Sequence, residues 1–223
     1  MKFITAKQLV KSYGQGDATV IALSNMSFEI DNGEFIGIMG ESGAGKSTLL
    51  SILGAMNAPS SGNLIVDVID VYRLSQEKRA DFRREFLGFI FQSFHLMPYL
   101  TVAENVMLPL AIINKSSNEK KSMAKEALFK VGLEDKASRL PSQISGGEKE
   151  RVAIARAIVN EPPLLLADEP TGNLDSRNSQ EIMRLLNELN DHGTTIIMVT
   201  HSHECADHAQ RVLHVTDGQL LAN

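Results

Sequence analysis

The feature that most constrains this chain is a glycine-rich stretch between a continuous apolar run and a segment with helical spacing. The apolar run covers residues 35–39 and has the pattern of a strand buried on both faces. Apolar residues then recur at helical spacing over residues 48–53. A strand, a glycine loop and a helix in this order open an α/β nucleotide-binding unit. The sequence therefore predicts an α/β fold with a phosphate-binding loop near its start.

Residues 40–47 supply the chemistry of that loop. They read Gly-Glu-Ser-Gly-Ala-Gly-Lys-Ser and fit the pattern G-x-x-x-x-G-K-[ST]. Glycines let the backbone curl so that successive N–H groups point at a phosphate, and the dipole of the following helix adds positive potential. The Lys46 ammonium suits the β- and γ-phosphates of a nucleotide, and the Ser47 hydroxyl can ligate Mg²⁺. The predicted nucleotide-binding residues of this segment are Gly40, Glu41, Ser42, Gly43, Ala44, Gly45, Lys46, Ser47 and Thr48.

Two acidic residues follow a second apolar strand, residues 164–167. A third apolar strand is predicted at 196–200, after an amphipathic helix around 182–189, and this alternation implies a parallel sheet. A buried strand does not carry charges at its end without a partner. We predict that Asp168 holds Mg²⁺, directly or through water, and that Glu169 polarises the water that attacks the γ-phosphate. An Asp-Glu pair alone is common, so this prediction depends on the phosphate loop upstream.

The segment Ser145-Gly146-Gly147-Glu148 has two interpretations. Ser-x-x-Glu is a capping box, which opens a helix. Capping does not explain two glycines in the first helical turn, where they weaken the helix. Bare backbone at a helix N-terminus suits close approach to a phosphate. The residues alone leave both interpretations open.

Composition sets the remaining limits. The 223 residues carry a net charge of −5, which gives no reason to expect a nucleic acid partner. The longest apolar runs are strand-sized, far below the ~20 residues of a spanning helix, and the N-terminus lacks the apolar stretch of a secretion signal. The single cysteine, Cys205, rules out an internal disulfide. We expect one domain over residues 1–223, with a core at about 1–92 and 160–223 and a helical subdomain at about 93–159.

Five ordered motifs identify the chain as a member of the ABC ATPase family, and the resemblance covers essentially the whole sequence. Residues 144–148 resemble the ABC signature, whose usual form is Leu-Ser-Gly-Gly-Gln. The other matching residues are Gln92 of the Q-loop, Asn173-Leu174-Asp175 of the D-loop, the switch histidine His201, and Tyr13, where the family stacks an aromatic ring on adenine. Ile144 and Glu148 depart from the usual signature, and Ser202 replaces the Asp that often follows the histidine.

This resemblance implies a P-loop ATPase fold, with a mostly parallel sheet, an antiparallel β part and a helical subdomain. It implies an ATP-dependent head-to-tail homodimer. Each ATP would lie between one copy's residues 40–48 and the other copy's Ser145, Gly146, Gly147 and Glu148, with Asp175 also near nucleotide. Gln92 would sense Mg²⁺ and link the site to the helical subdomain, which would touch a separate membrane permease. The implied catalytic residues are Lys46, Glu169 and His201.

The stretches 88–98, 101–106 and 167–175 resemble the bacterial lipoprotein-releasing and macrolide-export group. The resemblance implies a location at the cytoplasmic face of the inner membrane, held there by the permease. A close alternative is the cell-division ATPase FtsE, which has similar sequence in these stretches. A soluble ABC ATPase that acts on ribosomes or DNA is a more distant one, since such proteins usually join two cassettes or insert long coiled coils.

Overall fold

The computed structural model describes residues 2–14 and 16–221, so the ends of the predicted domain, residues 1, 222 and 223, and residue 15 lie outside the described part. Strands and helices alternate along most of the chain, with short 3₁₀ turns between them. Their bounds are β1 Lys2–Tyr13, β2 Val20–Asp31, β3 Phe35–Met39, α1 Lys46–Leu53, β4 Ser61–Val66, β5 Ile69–Asp70, α2 Gln76–Phe86, β6 Leu87–Ile90, α3 Val102–Met107, α4 Ser117–Lys130, α5 Gly146–Ile158, β7 Leu164–Asp168, α6 Ser176–Asp191, β8 Thr195–Val199, α7 His203–Ala206, β9 Arg211–Thr216 and β10 Gln219–Leu220.

A mostly parallel sheet forms the centre of the described part. Its strand order is β10-β9-β3-β8-β7-β6, and β10 alone runs antiparallel to its neighbour β9. The predicted strands at 35–39, 164–167 and 196–200 are adjacent here, with Phe35 opposite Ile196 and Leu164 opposite Thr195. Because parallel strands end at the same edge of a sheet, the residues after β3, β7 and β8 converge there.

Alternate side chains of these strands belong to two separate cores. Leu165 and Ala167 point to one face and pack with α5, α6 and the helices of residues 102–130. Leu164 and Leu166 point to the other face and pack with α1 and the second sheet. Burial on both sides explains why each strand is a continuous apolar run.

The second sheet is antiparallel, with the order β2-β1-β4-β5, and it confirms the antiparallel part of the predicted fold. Ala6 in β1 and Leu64 in β4 are register partners, and both side chains are buried in the core that also contains α1. The sheet therefore covers the phosphate-loop side of the parallel sheet.

Helices α3, α4 and α5 lie within the predicted helical subdomain. Capping boxes open all three, at Thr101, Ser116 and Ser145. Val106, Leu128 and Ile154 share one apolar cluster with Leu165 of the sheet, so these helices pack directly on the central sheet. Within the described residues, every helix is too short or too polar to cross a lipid bilayer.

Candidate nucleotide site

The phosphate loop connects the end of β3 to the start of α1. Gly45 has a φ of 103°, a left-handed conformation that favours glycine, and a Cβ at this position would overlap the carbonyl oxygen of Ala22. The loop thus packs closely against β2 and turns directly into the helix at Lys46. The sequence did not indicate the contribution of Ala22, because its contact arises only from the way β2 lies beside the loop.

Lys46 points back into the loop. Its Nζ donates to the carbonyl oxygens of Gly40 at 2.8 Å and Glu41 at 2.7 Å. The side chain is 6% exposed, and this burial lowers the pKa of the ammonium, while the charges of Glu169 and Asp168 act against the shift. A desolvated cation held by carbonyl oxygens is prepared to exchange them for phosphate oxygens.

The two acids lie at the carboxyl end of β7, next to the phosphate loop. Asp168 is the last residue of the strand, and burial, followed by the neighbouring Glu169 charge, raises the pKa of its carboxyl group. Glu169 has a left-handed backbone with a φ of 48°, a conformation found at functional sites more often than elsewhere. Its Oε1 lies 2.8 Å from His201 Nε2, and its Oε2 accepts a hydrogen bond from Gln92 Nε2 over 3.3 Å. Three predicted site residues are thus joined directly.

Of these residues, Glu169 and His201 line a cavity of about 280 Å³, whereas Asp168 and Gln92 do not. Glu169 and His201 close one side of the cavity, and Ala22 of β2 adds to its wall. The remaining lining residues belong to the predicted loop: Ser42, Gly43, Gly45, Lys46, Ser47 and Thr48. A larger cavity of about 440 Å³ lies beside Pro163 and Thr194, at the opposite ends of β7 and β8, and the predicted site residues do not line it.

Tyr13 and the signature residues do not line the 280 Å³ cavity. Tyr13 ends β1, is 43% exposed and stacks under the Lys11 ammonium, whose Nζ is 5.1 Å from the ring centroid. At the signature, Ser145 N donates to Glu148 Oε2 over 2.7 Å, and Glu148 N donates to Ser145 Oγ over 3.3 Å. This capping box holds the pKa of Glu148 below its usual value.

The two signature glycines have different surroundings. A Cβ at Gly147 would overlap the side chain of Asn178, so this glycine permits the close packing of α5 against the start of α6. A Cβ at Gly146 would meet only Leu174 Cδ2, at 3.9 Å. Packing therefore explains Gly147, whereas Gly146 presents bare backbone at a helix N-terminus.

The D-loop leads from Glu169 to α6. Asp175 caps that helix by accepting from Asn178 N at 2.9 Å and Asn178 Nδ2 at 2.6 Å, and these bonds lower the pKa of Asp175. Asn173 Nδ2 donates to the Gln92 carbonyl over 2.7 Å. The sequence identifies Asn173 only as part of the D-loop motif, and no sequence pattern predicts its contact with the Q-loop.

Comparisons with known proteins settle the family. Residues 23–172 match the family model described as ABC transporter. This chain belongs to the ABC transporter family. The match spans more than half of the chain and includes the phosphate loop, the signature and the two acids.

Relatives of this ABC ATPase match along nearly all of its length. It is 45% identical over 218 residues to the uncharacterized ABC transporter ATP-binding protein YvrO of Bacillus subtilis. The aligned region covers 98% of this chain and 95% of YvrO. It is 42% identical over 216 residues to the macrolide export ATP-binding/permease protein MacB of Burkholderia pseudomallei, covering 97% of this chain and 33% of MacB. The chain thus spans about a third of MacB.

Solved structures have the same fold. The dimeric structure of a post-hydrolysis state of the ATP-binding cassette MJ0796, bound to ADP and Pi, has a TM-score of 0.90 and 41% identity, covering 98% of this chain and 97% of that one. The predicted ABC ATPase fold and the ATPase activity of the family are thereby confirmed. The assignments of individual site residues remain predictions.

Proposed function

We propose that this ABC ATPase hydrolyses ATP with Glu169 and His201 at the phosphate loop and thereby drives a separate integral membrane permease. The observation that carries this proposal is the 2.8 Å contact between Glu169 Oε1 and His201 Nε2 at the edge of the cavity that Lys46 also lines. An acid and a histidine joined in this way can hold and polarise a water next to a γ-phosphate.

Different site residues have different proposed roles in binding ATP, hydrolysing it and signalling the state of the site. The loop amides and Lys46 bind the β- and γ-phosphates, and Tyr13 stacks on adenine. Glu169 accepts a proton from the attacking water, and His201 contacts the γ-phosphate and orients that water. Gln92 reports the state of the site to the helical subdomain, since its amide reaches Glu169 and its chain continues into that subdomain.

The residues at the loop also fit Mg²⁺. Ser47 lies in the first turn of α1, and Asp168 ends β7 as a half-buried carboxylate beside a second carboxylate. Hydroxyl and carboxylate oxygens are the ligands that Mg²⁺ prefers, and a cation there would oppose the burial and the Glu169 charge that together raise the pKa of Asp168. When bound, Mg²⁺ would neutralise charge on the phosphates. Ser47, Asp168 and Gln92 would hold it.

The proposed active form is a head-to-tail dimer in which residues 145–148 of each copy bind the other copy's ATP. Gly146 supports this arrangement because it presents open backbone at a helix N-terminus outside its own chain's phosphate cavity. The related cassette MJ0796 has been solved as a dimer, with ADP and Pi in one case.

The partner we propose is a permease of the lipoprotein-releasing and macrolide-export kind, which would place the chain at the cytoplasmic face of the inner membrane. Large apolar side chains exposed within residues 97–112 support a protein contact there, namely Met97, Tyr99, Leu108 and Ile112. MacB, a relative, is named as an ATP-binding/permease protein. An FtsE-like role in cell division is the second candidate, since it would use the same ATPase with a different membrane partner.

The Glu169→Gln variant tests the catalytic proposal. We expect ATP hydrolysis to fall at least about tenfold, as for loss of a general base, while ATP binding is retained. Glu188→Gln, an exposed change on α6 near the 440 Å³ cavity, is the matched control and should hydrolyse ATP normally. Normal hydrolysis by Glu169→Gln would show that Glu169 does not accept the proton of the attacking water.

Affinity purification from a membrane extract tests the partner. We expect an integral membrane protein to copurify with the chain. Recovery with ribosomes or DNA, and without a membrane protein, would contradict the transporter proposal.

A further inference from the structure

The loop that carries Gln92 runs from the end of β6 through residues 91–98 without forming helix or strand. Its residues Phe94 and His95 both have left-handed backbones, with φ values of 34° and 48°. Bulky residues rarely occupy this region and persist there only where the surrounding structure holds them. The loop therefore depends on bonds from other elements to keep Gln92 in one position.

Helix α5 supplies the first of these bonds. Arg156 Nη2 donates to the Phe94 carbonyl and Arg156 Nη1 to the His95 carbonyl, each at 2.6 Å. A guanidinium group presents its donors in a rigid, planar fork, so the two consecutive carbonyls are held in one relative orientation. Because α5 begins at Gly146, this fork ties the Q-loop to the helix that carries the signature.

The segment after β7 supplies the second bond. Asn173 Nδ2 donates to the Gln92 carbonyl oxygen over 2.7 Å. Its neighbour Gly172 leaves room for the Gln92 side chain, since a Cβ there would lie 3.1 Å from Gln92 Nε2. The Gln92 amide passes through this space and donates to Glu169 Oε2 over 3.3 Å. Asn173 thus holds the backbone of Gln92, and Gly172 leaves space for the Gln92 side chain.

We propose that Asn173 is a positioning residue for ATP hydrolysis, which holds the Gln92 amide against Glu169 through its bond to the Gln92 carbonyl. Arg156 fixes the other side of the same loop. The inference rests on the proposed function, because it gives Glu169 the role of polarising water. Asn173 lies two residues before Asp175, the cap of α6, so a displacement of the D-loop would move Gln92 as well.

The test is a double-mutant cycle on ATP hydrolysis. In Asn173→Ala we expect kcat to fall about three- to tenfold, the range for one lost hydrogen bond, with KM for ATP changed less than about twofold. Asn173→Asp keeps the size but lacks the N–H donor, and should lose as much. If Asn173 acts through Gln92, the double variant Asn173→Ala with Gln92→Ala should be no slower than Gln92→Ala alone.

Asn118→Ala, an exposed asparagine on α4, is the control and should keep the wild-type kcat. Wild-type kcat in both Asn173 variants would overturn the inference, and so would a double variant whose loss equals the product of the single losses. Where Asn173→Ala does not fold, Asn173→Asp takes its place in the cycle. Normal hydrolysis by Glu169→Gln contradicts the proposed function instead, whatever the Asn173 variants show.

Discussion

At the residue scale, the most unusual side chain outside the site is Glu150. It is 1% exposed on α5, and its Oε1 has no hydrogen-bond partner within residues 2–14 and 16–221. Burial raises the pKa of Glu150 to about 8, while the Arg156 charge acts in the opposite direction. An unfolded glutamate has a pKa of about 4.3. Between these values the folded protein keeps a proton that the unfolded chain releases, so the free energy of unfolding falls as pH rises.

Glu150→Gln should remove this pH dependence. The amide cannot ionise, so we expect the variant's free energy of unfolding to fall less between pH 5 and 8 than that of the wild type. The difference in slope should be at most about 1.4 kcal/mol per pH unit. Urea unfolding at pH 5, 6.5 and 8 measures it, with Glu188→Gln as the exposed control. Parallel curves for Glu150→Gln and the wild type would show that Glu150 is ionised in the folded protein.

Sequence reasoning succeeded at residues whose roles depend on their chain neighbours. The capping box at Ser145 is local, and the two-sided burial of β3 was visible as an apolar run. The hydrogen bond between Asn173 and Gln92 could not be predicted from the sequence, because the two residues are 81 positions apart in the chain. That contact depends on the path of an irregular loop, and loops do not have a hydrophobic period from which to infer their path.

At the element scale, the start of α5 shows why one motif needed two explanations. The capping and phosphate interpretations of residues 145–148 were left open by the sequence, and the capping box proved to be present. The reason for Gly147 is the closeness of α6, which a linear sequence does not reveal. Each glycine of the pair is therefore open to a separate test.

We expect Gly147→Ala to destabilise the fold and Gly146→Ala to leave it intact. The added methyl group at residue 147 would press on Asn178, whose side chain is held by Asp175, and overpacking of this kind costs about 1–3 kcal/mol. At residue 146 the methyl group has space in the single chain, but it would stand between the helix N-terminus and the other copy's ATP. Urea unfolding should separate the two variants. ATP-dependent dimerisation of Gly146→Ala, assayed by size-exclusion chromatography in the Glu169→Gln background, should be weakened.

Equal stability of the two variants would contradict the packing account of Gly147. Undiminished dimerisation by Gly146→Ala would contradict the proposed contact with the second copy's nucleotide.

At the scale of the whole molecule, the proposed head-to-tail dimer would build each site from two chains. Lys46→Ala damages the phosphate-loop half of a site, and Gly146→Glu would place a negative charge in the signature half. Each variant alone should be inactive. A mixed dimer of the two has one site with both defects and one with neither, so an equimolar mixture should recover about a quarter of the wild-type ATPase activity.

The control is a mixture of Lys46→Ala with Glu169→Gln. Both changes lie in the phosphate-loop half, so every site in that mixture keeps one defect and activity should not return. Recovery in both mixtures, or in neither, would contradict a site shared between two chains.

The strand order has a consequence for how the chain is made. β3 is complete at residue 39, yet its partners on both sides, β8 and β9, begin only at residues 195 and 211. At ribosomal speeds of about 5–20 residues per second, β3 remains without a paired strand for roughly ten to thirty seconds during synthesis. The antiparallel sheet and α1 can cover one of its faces meanwhile, but not its two hydrogen-bonding edges. The catalytic centre of this ATPase is therefore one of the last parts of the molecule to form during its synthesis.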